Sequence, residues 1–298
     1  MYKRQPYDDQ TVGNDPPYGA DLNYYLKSAA GGPVSIAIQD SRGQTVRTMN
    51  APASAGLHRV YWDLRDTPSK RVQFRTSPLY APDVRVGPDG IRESEGGFGA
   101  GGGGFTILQA PGTYTVKLSV GGREYTQSLR VLKDPHSAGT DAEIAAQQQF
   151  LLSMRRDLDA TVDAINSAEV VRAQINNMKN LIQDTELRKA ADDLDQKVAG
   201  AESSFVELRA TGRGQDGVRF GSKLVQKLGY LANGLQSSDF KPTNQQVAVQ
   251  KDLQDRLKNS SGQLTDVLNR DLAAFNDMLR RANLPTITAQ VGRRPTSQ

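Results

Sequence analysis

The sequence predicts two folded parts in series: a β-sandwich, followed by an antiparallel bundle of three to four long helices. Three observations carry this. Apolar and polar side chains alternate with period two between Asp21 and Lys133, as in half-buried strands. The composition changes at Asp134-Pro135. Beyond that point, apolar residues recur at spacings of three and four, which wants a neighbouring helix along the whole stripe. A chain of 298 residues is also long for one average domain. The expected division is a lead-in over 1–20, a sandwich over 21–133 with an insertion at 64–104, helices over 140–285 and a tail over 286–298.

Within the first part, Val34, Ile36 and Ile38 share one strand face, and Asp40-Ser41-Arg42-Gly43 supplies a turn to the strand of Val46 and Met49. His58, Val60 and Trp62 alternate with Arg59, Tyr61 and Asp63 in a third strand. Tyr114, Val116, Leu118 and Val120 form a further face, and Gly121-Gly122 fits a two-residue hairpin turn with positive φ at both positions. The return strand carries Tyr125, Leu129 and Val131. Short strands at regular spacing with glycine-rich turns argue for an immunoglobulin-like sandwich. The insertion is rich in Pro and Gly and ends in the run Gly96 to Gly104, whose high backbone entropy predicts mobility. No Gly-Lys-Ser/Thr and no helical pattern follow that run, so a linker is favoured over a phosphate loop.

In the second part, Thr140 and Glu143 form a capping box ahead of a stripe from Ile144 through Leu151, Met154, Leu158, Val162 and Ile165, continuing to Ile182. A second stripe runs from Leu187 to Leu208, a shorter one carries Phe220, Leu224, Leu228 and Leu231, and Thr243 with Gln246 caps a last helix that ends before Pro285.

Composition narrows the function classes. Residues 1–139 hold 16 Lys/Arg against 13 Asp/Glu, and residues 140–298 hold 21 against 20, so neither half offers the basic face of a nucleic-acid binder. Arg293-Arg294 reads as a frayed end. No apolar run reaches the roughly 18 residues that suggest a membrane span. With no cysteine and only His58 and His136, thiolate chemistry and His-rich metal sites are excluded, and no cofactor is implied. Asp8-Asp9 lacks the further oxygen ligands that calcium needs.

The most specific polar stretch is Thr211 to Arg219, an interhelical turn in which Arg213, Gln215, Asp216 and Arg219 offer an anion or carbohydrate contact. The alternative, a tight turn whose arginines tie helix ends together, is favoured. His136, at the junction, is a candidate for interdomain contact or for a hydrolase site there. Trp62 with Tyr61, Tyr80 and Tyr114 suggests a sugar-stacking platform, against the commoner role of strand aromatics as core. His58 is expected to be a buried structural histidine. Asp157/Asp159 and Asp192/Asp193 are expected on polar helix faces, not as a glycosidase acid pair. No catalytic residue is assigned.

Val34 to Asp66, with its Asp-x-x-Gly hairpin and the Trp62-Asp63 pair, together with Pro111-Gly-Thr-Tyr114, resembles the immunoglobulin-like domain of the flagellar-hook capping protein family. The long 64–104 insertion departs from it. More broadly, residues 15–285 resemble the C-terminal region of bacterial secreted proteins with a sortilin-like, Asp-box (bacterial neuraminidase repeat) β-propeller, often labelled glycosyl hydrolases. DPPYGADLNYYLK, VLKDPHSAGT, TGRGQDGVR and KLGYLANGL carry the likeness. The resemblance implies a secreted or periplasmic parent whose N-terminal propeller is the partner of this region, with carbohydrate or protein as a further partner. No Asp-box lies within the chain, so the hydrolase label does not transfer. The opening Met1-Tyr2-Lys3-Arg4-Gln5 resembles translated adaptor sequence, which makes Met1 an unsafe start. The expected function is a non-catalytic accessory or interaction region.

Overall fold

The computed structural model describes residues 17–92, 104–212 and 214–289. Met1 to Gln5, Asp8-Asp9, most of the glycine run, Arg213 and Arg293-Arg294 lie outside the described residues. The chain forms two compact units. One comprises residues up to Thr67 and Pro111–Lys133, and the other comprises Pro68–Ala110 and everything from Asp134 onward.

The first unit holds six strands: β1 (Ala20–Leu26), β2 (Val34–Gln39), β3 (Thr45–Ala51), β4 (Gly56–Trp62), β5 (Gly112–Val120) and β6 (Arg123–Val131). They make two antiparallel sheets, one of β1 and β4, the other in the order β3-β2-β5-β6. Period two places Leu22, Ile36, Ile38, Trp62 and Tyr114, drawn from both sheets, in one core. Gly121 and Gly122 take φ of 54° and 81°, as the primed hairpin turn requires. Gly19 sits at φ 132°, where an added Cβ would lie 2.1 Å from the Trp62 carbonyl oxygen, so only glycine lets the chain enter β1 beside β4. The turn after β2 is closed by the Asp40 carboxylate, which accepts from the amides of Arg42 (2.9 Å) and Gln44 (2.8 Å). β1 itself carries no strong alternation and is not among the strands the sequence signals.

The second unit is helical: α1 (Asp141–Met178), α2 (Thr185–Glu202), α3 (Asp216–Arg219), α4 (Leu224–Leu235), α5 (Asn244–Asp266) and α6 (Leu272–Arg281). α1 runs for 38 residues, about 57 Å at helical rise. The capping boxes at Thr140 and Thr243 both form. Asn283 ends α6 at φ 52°, with the Leu284 amide donating to Leu279 O at 2.9 Å, so Pro285 follows a completed left-handed cap. α1 packs along α2, α4 and α5, and α2 also packs on α5 and α6.

Two departures from the sequence expectation matter. First, α5 passes into α6 through a π turn, Val267–Asp271. The buried positions Leu253, Leu257 and Leu264 follow the heptad, but the next is Leu272, eight residues on, and the π turn absorbs the extra residue. Second, residues 68–110 belong with the helices and not with the sheets. Phe74, Phe105 and Ile107 are buried in the helical core, while Val84 is buried as well. The described part of this insertion is therefore a docked strap.

Candidate functional site

The strap lies along one polar stripe of α1. Asp159, Asp163, Asn166 and Glu169 stand at spacings of four, three and three, which places them on one side of the helix. Each meets the extended strap backbone or its side chains. Asp159 accepts the Lys70 amide at 2.7 Å, and Asp163 accepts Lys70 Nζ at 2.5 Å. The Asn166 amide accepts from Gln73 N at 2.7 Å and donates to Arg71 O at 3.0 Å, as a strand neighbour does. Glu169 Oε2 accepts the Arg75 amide and, at 2.8 Å, the Thr76 amide, while Oε1 accepts the Thr76 hydroxyl at 2.9 Å. The polar stripe thus serves as a hydrogen-bonding edge for an extended segment whose Phe74 also forms a β-bridge with Arg92.

At the end of this stripe the charges go inside. Glu169, Arg172, Glu202 and Arg92 are all buried. Arg172 Nη1 donates to Glu169 (3.3 Å), Glu202 (3.2 Å) and the Thr76 hydroxyl (3.2 Å), and its Nε donates to Asp195 at 3.1 Å. Arg92 donates to the carbonyls of Thr76 (3.2 Å) and Ala210 (3.1 Å), with its guanidinium 4.4 Å from the Phe74 ring centre. Burial pushes the Glu202 carboxyl well above the usual carboxylate range, and the charge of Glu169 adds to this while Arg172 opposes it. This cluster is the largest concentration of buried ionisable groups among the described residues. The sequence signal for it is weak, because Glu169, Arg172 and Glu202 look like ordinary helix-surface residues. What could have exposed them is that Glu169 and Arg172 fall beside Ala168 and Val171 on the buried stripe.

The candidates named from sequence separate in space. Trp62 is fully buried, donates its indole N–H to Arg65 O at 2.8 Å and meets Tyr114 edge-on at 5.3 Å. It is therefore a core residue and is corrected from ligand contact to packing, as is buried Tyr114. Tyr61 is half-buried and Tyr80 exposed. His58 is half-buried, not enclosed: its Nε2 bonds Ser54 O at 2.7 Å and its ring lies 5.1 Å from Tyr24. His136 is exposed, with its backbone amide on Asp134 at 2.8 Å. In the 211–219 turn, Asp216 Oδ2 takes the Thr211 amide (2.7 Å), the Thr211 hydroxyl (2.9 Å) and the Gly212 amide (2.9 Å). That arrangement closes the turn on itself, while Gln215, just before α3, and Arg219, at its end, lie exposed.

Surface aromatics collect elsewhere. On the outer face of β1 and β4, Tyr25 pairs with Leu57, Asn23 with Arg59 and Asp21 with Tyr61. Tyr25 is 68% exposed and Leu57 75%. Arg59 Nε donates to Asn23 at 2.9 Å and stands 3.7 Å from Asp21, so the polar part of the face is pre-ordered. Among the described residues, no group of His, Asp and Glu is placed to hold a metal ion, and no helix is long and apolar enough to cross a membrane.

Compared with protein-family models, with curated proteins and with solved structures, the chain finds no match.

Proposed function

We propose that the chain is a non-catalytic accessory and interaction region, an immunoglobulin-like sandwich with an antiparallel helix bundle, belonging to a secreted or periplasmic β-propeller protein. One observation carries the reading: buried acids and arginines are committed to holding the strap on α1, whereas an ordered face of exposed Tyr25 and Leu57, with half-buried Tyr61 and with Asn23, Arg59 and Asp21, lies on β1 and β4. Such a mixture of aromatic, aliphatic and guanidinium groups is the composition of a protein-contact patch. The propeller as partner, and the location outside the cytoplasm, rest on the sequence resemblance.

The test is to read the source DNA upstream of codon 1 and to express any propeller-coding frame found there as a separate polypeptide. Binding of the present chain to that polypeptide, measured by calorimetry and weakened at least tenfold by Tyr25→Ala with Leu57→Ala, supports the proposal. A frame without propeller repeats, or a propeller that does not bind, overturns it. A carbohydrate-binding role is the second reading, favoured by the exposed Tyr25 beside the amide of Asn23 and the guanidinium of Arg59. It requires saturable binding on a glycan array that Tyr25→Ala removes.

A further inference from the structure

Glu169 and Glu202 both meet Arg172, but they are unequally supplied with donors. Glu169 accepts from the Arg75 and Thr76 amides, the Thr76 hydroxyl and Arg172, so both of its oxygens are saturated with donors, as suits an ionised carboxylate. Glu202 is fully buried and receives one donor, Arg172 Nη1 on Oε2, while no donor among the described residues reaches its Oε1. The two carboxyl groups converge on one nitrogen, Arg172 Nη1, which lies 3.3 Å from Glu169 and 3.2 Å from Glu202. Two carboxyls so placed cannot both ionise cheaply, and the proton settles on the one with fewer donors.

We propose that Glu202 is protonated at neutral pH, that it shares this proton with Glu169, and that the shared proton latches the strap at Arg75-Thr76 onto α1, so that alkaline pH releases the strap. Around the pair stand Arg172 on α1, Asp195 on α2, and Arg75, Thr76 and Arg92 from the strap itself. Further out, Lys179, which caps the end of α1, lies 4.0 Å from Asp195, and Asp216 acts on Arg92. When the proton leaves, Glu202 becomes a second anion against Glu169 and competes with it for Arg172. Glu169 is the group that holds two strap amides and one strap hydroxyl, so the strap is what loosens. A carboxyl whose folded pKa lies above its unfolded one contributes stability in full below the unfolded value, and that contribution is lost as pH rises through the folded value.

The experiment is amide hydrogen exchange on the full chain from about pH 6 to about pH 9, corrected for intrinsic rates, with protection at Arg75 and Thr76 as the readout. Above the folded pKa, protection of these two amides is expected to fall by up to about tenfold per pH unit, while amides deep in α1 stay protected. Glu202→Gln, which keeps a neutral donor, is expected to flatten the response. Infrared spectra of the unmodified protein give a second measurement that does not depend on the variant folding: a protonated-carboxyl band present at neutral pH and lost on alkalisation. Equal pH responses in the two proteins, or no protonated carboxyl at neutral pH, would overturn the latch.

Discussion

Tyr114 shows how one buried side chain sets a pH limit for the sheets. Its phenol is buried beside Trp62, and burial pushes its pKa up to about 12, with the Asp40 carboxylate adding to the effect. The shift is upward, so the un-ionised form is favoured by folding. Stability is complete below the ordinary tyrosine value of about 10 and is lost as pH climbs from there through about 12. Tyr114→Phe is therefore expected to flatten the alkaline limb of the first unit's stability curve, by up to about 2 kcal/mol at pH near 12. Urea unfolding followed by tryptophan fluorescence reads this directly, because Trp62 is the only tryptophan and it touches Tyr114. Identical alkaline limbs in the two proteins would show that the phenol is not the controlling group. The alternation of Val60 and Trp62 with Tyr61, and of Tyr114 and Val116 with Thr115, made this core legible in the sequence. The buried Glu202 was not legible, because a glutamate at a helix C-terminus is almost always solvated, whereas here it is fully buried on Arg172.

At the scale of elements, the strap and the π turn separate what pattern can and cannot tell. Helix existence, both capping boxes and the Gly121-Gly122 turn are local, and the sequence states them. The strap's docking is not local. Its polar contacts run from Lys70 and Gln73 to residues about ninety positions away, so Pro and Gly content alone reads as a loose insertion. Asn166 tests the docking, since it pairs with both Arg71 O and Gln73 N. Asn166→Ala is expected to cost about 1–3 kcal/mol, felt locally, because two strap groups lose their partner. Faster tryptic cleavage after Lys70 and Arg71, with an unchanged helical circular dichroism spectrum, is the corresponding signature. Cleavage at the parental rate would mean that the Asn166 pairing does not hold the strap. The π turn offers the complementary case, in which a sequence change should do little. Deleting exposed Asn269 sets Leu264 and Leu272 seven residues apart and lets one α-helix continue through them, so a stability change within about 1 kcal/mol is expected. Deleting exposed Lys258 instead turns the rest of the leucine stripe away from its partners, at a cost of several kcal/mol. Comparable losses from both deletions would show that the π turn is not a register correction.

The whole molecule has two hydrophobic cores, and its chain order interleaves them. Leu22, Ile36, Ile38, Trp62 and Tyr114 form one core, and the stripes of α1, α2, α4, α5 and α6 form the other together with Phe74, Phe105 and Ile107 of the strap. Chain order alone suggests a sandwich interrupted by a loop. The cores instead show that the segment leaving the sheets after Thr67 and returning at Pro111 gives its apolar side chains to the helices. Two separate cores imply two cooperative transitions, each with its own probe: Trp62 fluorescence for the sheets and helical circular dichroism for the rest. Ile165 is fully buried in α1, so Ile165→Ala leaves a cavity and is expected to cost about 2–5 kcal/mol in the helical unit. The helical transition should move to lower denaturant while the Trp62 transition stays where it was. If both transitions move together, the two cores unfold as one cooperative unit, and the two-transition reading fails.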